Sequence, residues 1–139
     1  MLGFKSAVSL MMVTGLALIT GCTSVPKTQA VQQKHVYTLD NKCPTELVVG
    51  VGETITVILA DNPSTGYSWK LRGALQHFDA TSSYAAHKTE GYLVVGAGGE
   101  RNFHFKANSV GTDNINLVYT RSWTPDQIGA QWTCQVTVK

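Results

Sequence analysis

The stretch Asn62-Pro63-Ser64-Thr65-Gly66-Tyr67-Ser68-Trp69 sets a stiff turn ahead of an alternating apolar segment. Pro63 holds its own φ at about −65°, pushes Asn62 toward extended backbone, and is followed by Gly66, which tolerates positive φ. Such a turn is preorganised and loses little entropy on docking. Ser64 and Thr65 add short hydroxyls able to hydrogen-bond a partner. Two further stretches offer related chemistry. Gly96-Ala97-Gly98-Gly99 presents main chain without bulk, and Arg121-Ser122-Trp123 presents a planar cation beside a large ring of the kind enriched at energetic hot spots. This is the chemistry of recognition.

Taken singly, each stretch has an ordinary explanation. Asn-Pro-Ser-Thr-Gly is also a common type I turn with a glycine exit. Gly96 to Gly99 is also a hairpin turn, and it lacks the Lys-[Ser/Thr] of a phosphate loop. Trp123 could pack against the end of a domain and Arg121 could be a solvated strand terminus. Trp69 and Trp132 fit an inward alternation and read as core.

Signals for catalysis are weak. His35, His77, His87 and His104 lack the close spacings that zinc sites favour, and no Ser sits in a Gly-x-Ser-x-Gly elbow. His104 reads as a surface residue between Phe103 and Phe105. Neither a metal nor a cofactor is expected, and the chain does not read as an enzyme.

The elements that must carry the three stretches are strands. Ile55, Val57 and Leu59 alternate with Thr54, Thr56 and Ile58; Tyr67, Trp69 and Leu71 alternate with Ser68, Lys70 and Arg72. Ile115, Leu117 and Tyr119, and later Trp132, Cys134, Val136 and Val138, continue the period of two. Turn residues at Gly50-Val51-Gly52, 61–66, 96–99, Gly111-Thr112-Asp113 and Thr124-Pro125-Asp126 punctuate them. The pattern predicts strands over 36–40, 45–50, 54–60, 67–73, 92–95, 101–108, 114–121 and 131–138. Their spacing indicates an all-β, immunoglobulin-like antiparallel β-sandwich. With 74–91 read as a long return between sheets, the loops at 61–66, 96–100 and 121–130 are alternate connections and are expected at one end.

At the N-terminus, Lys5 and the apolar run Ala7 to Ile19 have the form of a signal peptide. The run is too short for a membrane-spanning helix, which needs about 20 residues. It ends at Leu18-Ile19-Thr20-Gly21-Cys22, which resembles a bacterial lipobox with Cys22 as lipid acceptor, an incidental Cys after an ordinary signal being the other reading. The expected organisation is a signal peptide over 1–21, a lipid-anchored flexible tether over 22–35, and a folded domain over 36–139. Acylation of Cys22 leaves Cys43 and Cys134 as a disulfide pair or as two free thiols. A bridge would stabilise the domain by about 2–4 kcal/mol. Loss of residues 1–21 removes Lys5 and leaves ten basic against nine acidic residues, a net charge of +1. That balance argues against nucleic acid, and without a polybasic run the membrane contact is expected through the acyl chains alone.

In order and spacing, Asn62-Pro63-Ser64-Thr65-Gly66-Tyr67, Gly96-Ala97-Gly98-Gly99 and Arg121-Ser122-Trp123 resemble the motifs of the chagasin family of cysteine peptidase inhibitors. The similarity extends through Leu93 to Gly99, Phe103-His104 and Asn116-Leu117-Val118-Tyr119-Thr120. It implies an immunoglobulin-like sandwich whose three loops reversibly occlude the active-site cleft of papain-like cysteine peptidases without being turned over. Carried over by position, Pro63, Ser64, Thr65 and Gly66 form the central wedge, while Gly98, Gly99, Arg121 and Trp123 grip the flanking walls. Ser64 stands where the family usually has Thr, keeping the hydroxyl. Ser122 stands where it usually has Pro, which removes a fixed φ from the third loop.

The competing expectation is a lipid-anchored envelope module of the same fold that uses these loops to bind another protein or a glycan. In either case Thr23 after Cys22 points to the outer membrane, with the domain, expected to be a monomer, facing the periplasm.

Overall fold

The computed structural model describes residues 35–139, so the signal-peptide, lipobox and most of the tether readings, Cys22 included, lie outside the described residues. Ten strands follow in order: β1 His35–Tyr37, β2 Leu47–Val49, β3 Thr54–Asp61, β4 Tyr67–Leu71, β5 Phe78–Ala86, β6 Lys88–Thr89, β7 Tyr92–Leu93, β8 Gly99–Ala107, β9 Gly111–Arg121 and β10 Thr124–Val138. One sheet runs β1-β3-β8-β5, the second β2-β10-β9-β4, and β6-β7 is a separate small hairpin.

The core forms as the alternation demands. Ile55, Val57 and Leu59 of β3 and Phe103 and Phe105 of β8 are buried from one sheet. Trp69, Ile115, Leu117, Trp132, Cys134, Val136 and Val138 are buried from the other, and their intervening neighbours are more exposed. Period-two alternation puts successive side chains on opposite faces, so burying one face selects the register. Trp69, in the core as expected, donates its indole N–H to the carbonyl of Ala60 at 2.9 Å, which joins the two layers. His104 is exposed and within 3.1 Å of the Thr56 hydroxyl. Cys43 and Cys134 form a disulfide with Cα atoms 6.0 Å apart, pinning the segment between β1 and β2 to β10.

Several boundaries differ from the sequence expectation. The stretch 74–91 is not simply a return, because Phe78–Ala86 forms the edge strand β5 against β8. Only Phe78 of this strand is buried, so no alternation marks it in the sequence. The expected strand at 92–95 contracts to Tyr92–Leu93, whereas that at 131–138 extends back to Thr124 through an irregular pairing with β9. Both sheets are mixed at their edges: β1 pairs with β3, and β2 with β10, in parallel. The N-terminal strands reach them by crossing between layers, which periodicity alone does not encode.

Candidate binding edge

Strand register places the three stretches together. β3 ends at Asp61 opposite Gly99, where β8 begins, and β4 begins at Tyr67 opposite Arg121, where β9 ends. The segment 62–66 therefore crosses from one sheet to the other, with 96–99 on one side and 121–123 on the other. The expected clustering is present, though its cause is register in two sheets and not simple alternation of connections.

The central segment is a single 3-10 turn over Pro63–Thr65, entered from Asn62 in non-helical backbone and left through Gly66 at φ 80°. Thr65 N–H donates to Asn62 O at 3.1 Å and Gly66 N–H to Pro63 O at 2.9 Å. The side chains reinforce the same path. Thr65 Oγ1 donates to Asn62 O at 2.7 Å and accepts from Tyr67 N at 3.3 Å, and Ser64 Oγ donates to Asn62 Oδ1. Both hydroxyl protons are thus engaged inside the turn, while Pro63, Ser64 and Thr65 themselves stand exposed.

Asn62 also holds the neighbouring loop, because its Nδ2 donates to Gly96 O at 3.1 Å. Further along, His87 N–H donates to Gly98 O at 2.9 Å, and Gly99 lies so close to β5 that a Cβ there would overlap the Ala85 carbonyl. Ala97, Gly98 and Gly99 line one wall of a cleft of about 480 Å³ that also contacts Asn62, Trp69 and Tyr119. On the other flank, the Arg121 guanidinium sits 4.4 Å from the centre of the Tyr67 ring and 5.8 Å from that of Trp123. Both distances are within the range of cation–π attraction. Trp123 remains 67% exposed although its ring lies against Gly66. Lys70 Nζ donates to Ser122 Oγ at 2.9 Å.

Other residues support this edge without having been read from the sequence as part of it. Asp61 is fully buried below the turn and accepts from Arg101 Nε. Tyr119 stacks on Tyr67 with centroids 5.2 Å apart, and its hydroxyl accepts from Asn62 N at 3.4 Å. Val94 and Val95, read as strand, are instead exposed apolar residues, and with Pro63, Ser64 and Tyr84 they line a shallow pocket of about 260 Å³ beside the turn. The signal for them was an apolar pair directly preceding a glycine-rich loop. Among the described residues no group of three or more His, Cys, Asp or Glu side chains is arranged to hold a metal ion.

A family model described as chagasin family peptidase inhibitor I42 matches residues 48–138, a span that includes all three loops. The chain belongs to the chagasin family. Chagasin of Trypanosoma cruzi is 33% identical over 81 residues, covering 56% of this chain and 74% of that protein. The fold matches the cysteine protease inhibitor EhICP2 from Entamoeba histolytica with a TM-score of 0.62 at 24% identity, covering 76% of this chain and 94% of the other. It also matches PbICP-C, solved in complex with falcipain-2, with a TM-score of 0.52 at 19% identity over 78% and 92% of the two chains. This chagasin-family chain is thus a peptidase inhibitor and not an enzyme, built as an immunoglobulin-like sandwich.

Proposed function

We propose that the edge formed by Asn62–Tyr67, Gly96–Gly99 and Arg121–Trp123 is the surface with which this chain reversibly occludes the active-site cleft of papain-like cysteine peptidases. The observation that carries the reading is the continuity of the three loops through two contacts, Asn62 to Gly96 and Gly66 to Trp123. Pro63 to Gly66 form the wedge, narrow enough to enter a cleft and internally bonded enough to keep its shape there. Gly98 and Gly99 let one cleft wall approach main chain, and Trp123 with Arg121 grips the other. The complex of PbICP-C with falcipain-2 supports a papain-like target class by likeness. A wedge with two grips can bury the roughly 1,600 Å² of a standard interface.

Titration of the purified chain against papain, a cathepsin-like enzyme and a serine peptidase tests this. Tight, reversible inhibition of the thiol enzymes alone is expected; inhibition of none of them removes the reading.

The lipobox Leu18 to Cys22 supports a second proposal, that the mature chain is anchored by acyl groups on Cys22 in the cell envelope, at the outer membrane facing the periplasm. The tether after it would let the domain reach a soluble peptidase. Metabolic labelling with a radioactive fatty acid, lost on Cys22→Ser, is the expected result; label retained by that variant overturns it.

A further inference from the structure

Thr120 immediately precedes the third loop on β9. Alternation turns Ile115, Leu117 and Tyr119 toward the interior, so Thr120 belongs to the outer face of its sheet, yet it is only 3% exposed. What covers it is the chain itself. The pairing of β9 with β10 shifts register between Thr124 and Ile128, and the residues in that irregular stretch bend back over Thr120.

The outcome is a convergence of acceptors. The carbonyl oxygens of Arg121, Thr124, Pro125 and Gln127 lie 3.4, 3.2, 3.2 and 3.1 Å from Thr120 Oγ1. A hydroxyl carries one proton and donates to one acceptor at a time. The group is therefore a hub that any of the four carbonyls can engage, and donation to Thr124, Pro125 or Gln127 favours the same wrapped path of the chain. Trp123 sits at the turn of this wrapped segment, and its other restraints are slight: the ring touches Gly66 and Arg121, and the Lys70–Ser122 bond lies at the solvated surface.

We propose that Thr120 is a positioning residue for the inhibitory edge: its buried hydroxyl fixes the course of residues 121–127 and so holds Trp123 over Gly66. The inference rests on the cleft-occlusion reading above and names a residue outside the three loop motifs, at the end of the similar stretch Asn116 to Thr120. Thr120 touches no peptidase; it acts through Trp123.

Thr120→Val keeps the volume and removes the proton, whereas Thr120→Ser keeps the proton. The Val variant of the full chain is expected to raise the inhibition constant against papain about tenfold, the scale of about one lost hydrogen bond, and the Ser variant to inhibit like the parent. In a Trp123→Ala background the same Val change is expected to have less than about a twofold effect, since coupled residues are non-additive. A peptidase-free readout accompanies this: the Trp123 indole resonance and the amide exchange of residues 121–127 are perturbed in the Val variant and parent-like in the Ser variant. Thr120→Ala serves in place of Val if the latter does not fold. A Val variant with unchanged inhibition and an unchanged indole signal overturns the proposal, as does equal damage by Val and Ser or full additivity with Trp123→Ala. If the parent inhibits no peptidase, the occlusion reading fails, while the resonance and exchange data still decide whether Thr120 holds the loop.

Discussion

The Trp123 indole lies across the α-carbon of Gly66, so closely that a methyl group on Gly66 would overlap the ring. Gly66 is also at φ 80°, a conformation costing a residue with a Cβ about 1–2 kcal/mol. Two requirements meet at one position. Gly66→Ala must both strain the exit of the wedge and displace Trp123, so it is expected to raise the inhibition constant at least about tenfold and to lower stability by about 1 kcal/mol. Enzyme titration and thermal unfolding check the two effects separately; a variant unchanged in both removes the close approach.

Trp123→Ala separates binding from folding. The ring is largely solvent-facing, so little burial is lost with it. Inhibition is expected to weaken about 30-fold or more, matching a hot-spot truncation of about 2 kcal/mol, with an almost unchanged melting temperature. Parallel losses in both measurements would show that the ring is structural.

Asn62 joins the wedge to the middle loop through Gly96 and receives the Ser64 hydroxyl. Asn62→Ala leaves the strands intact and removes both links. Inhibition is expected to fall about three- to tenfold, the loss of one or two net hydrogen bonds, mainly through faster dissociation measured by surface plasmon resonance.

The Asp61–Arg101 pair under the wedge behaves differently. Asp61→Ala leaves the partly buried Arg101 without its carboxylate and is expected to cost about 3 kcal/mol of stability. Chemical denaturation reads this directly, and a loss below about 1 kcal/mol would mean the pair is solvated.

Replacing both Cys43 and Cys134 with Ser tests the remaining covalent support. The bridge spans 91 residues of sequence, and its loss is expected to lower stability by about 2–4 kcal/mol. Cys134 pairs with Ile115, well below the turn at Ser122, so inhibition at moderate temperature is expected to stay within about twofold, distant sites without shared partners acting nearly independently. A large loss of inhibition in a folded double variant contradicts this.

The parts of this molecule readable from sequence are those in which one face is buried. β3, β8, β9 and the second half of β10 announce themselves because Ile55, Phe103, Ile115 and Val136 recur in phase with the pleat. β5 does not, since it hangs at an edge with Phe78 as its only buried residue. Residues 124–130 do not, because they are shaped around Thr120 and not by a flat ladder. The wedge was legible through Pro63 and Gly66, residues whose backbone limits are local. The supports of that wedge, Asp61, Arg101 and Tyr119, were not, because each becomes meaningful only when strands distant in sequence are laid side by side.

The bonds closing the wedge upon itself bear on its fate inside a working catalytic centre. Were the thiolate of a target to sever the link between Ser64 and Thr65, the new termini would not drift apart. Asn62 O would still be clasped from beyond the break by Thr65, and Pro63 O by Gly66. With the ends kept facing each other, the freed amine of Thr65 is expected to attack the thioester at Ser64, remake the peptide bond and expel the thiolate before either end departs. A chain recovered at full mass after long incubation with an excess of active enzyme is the mark of such a loop.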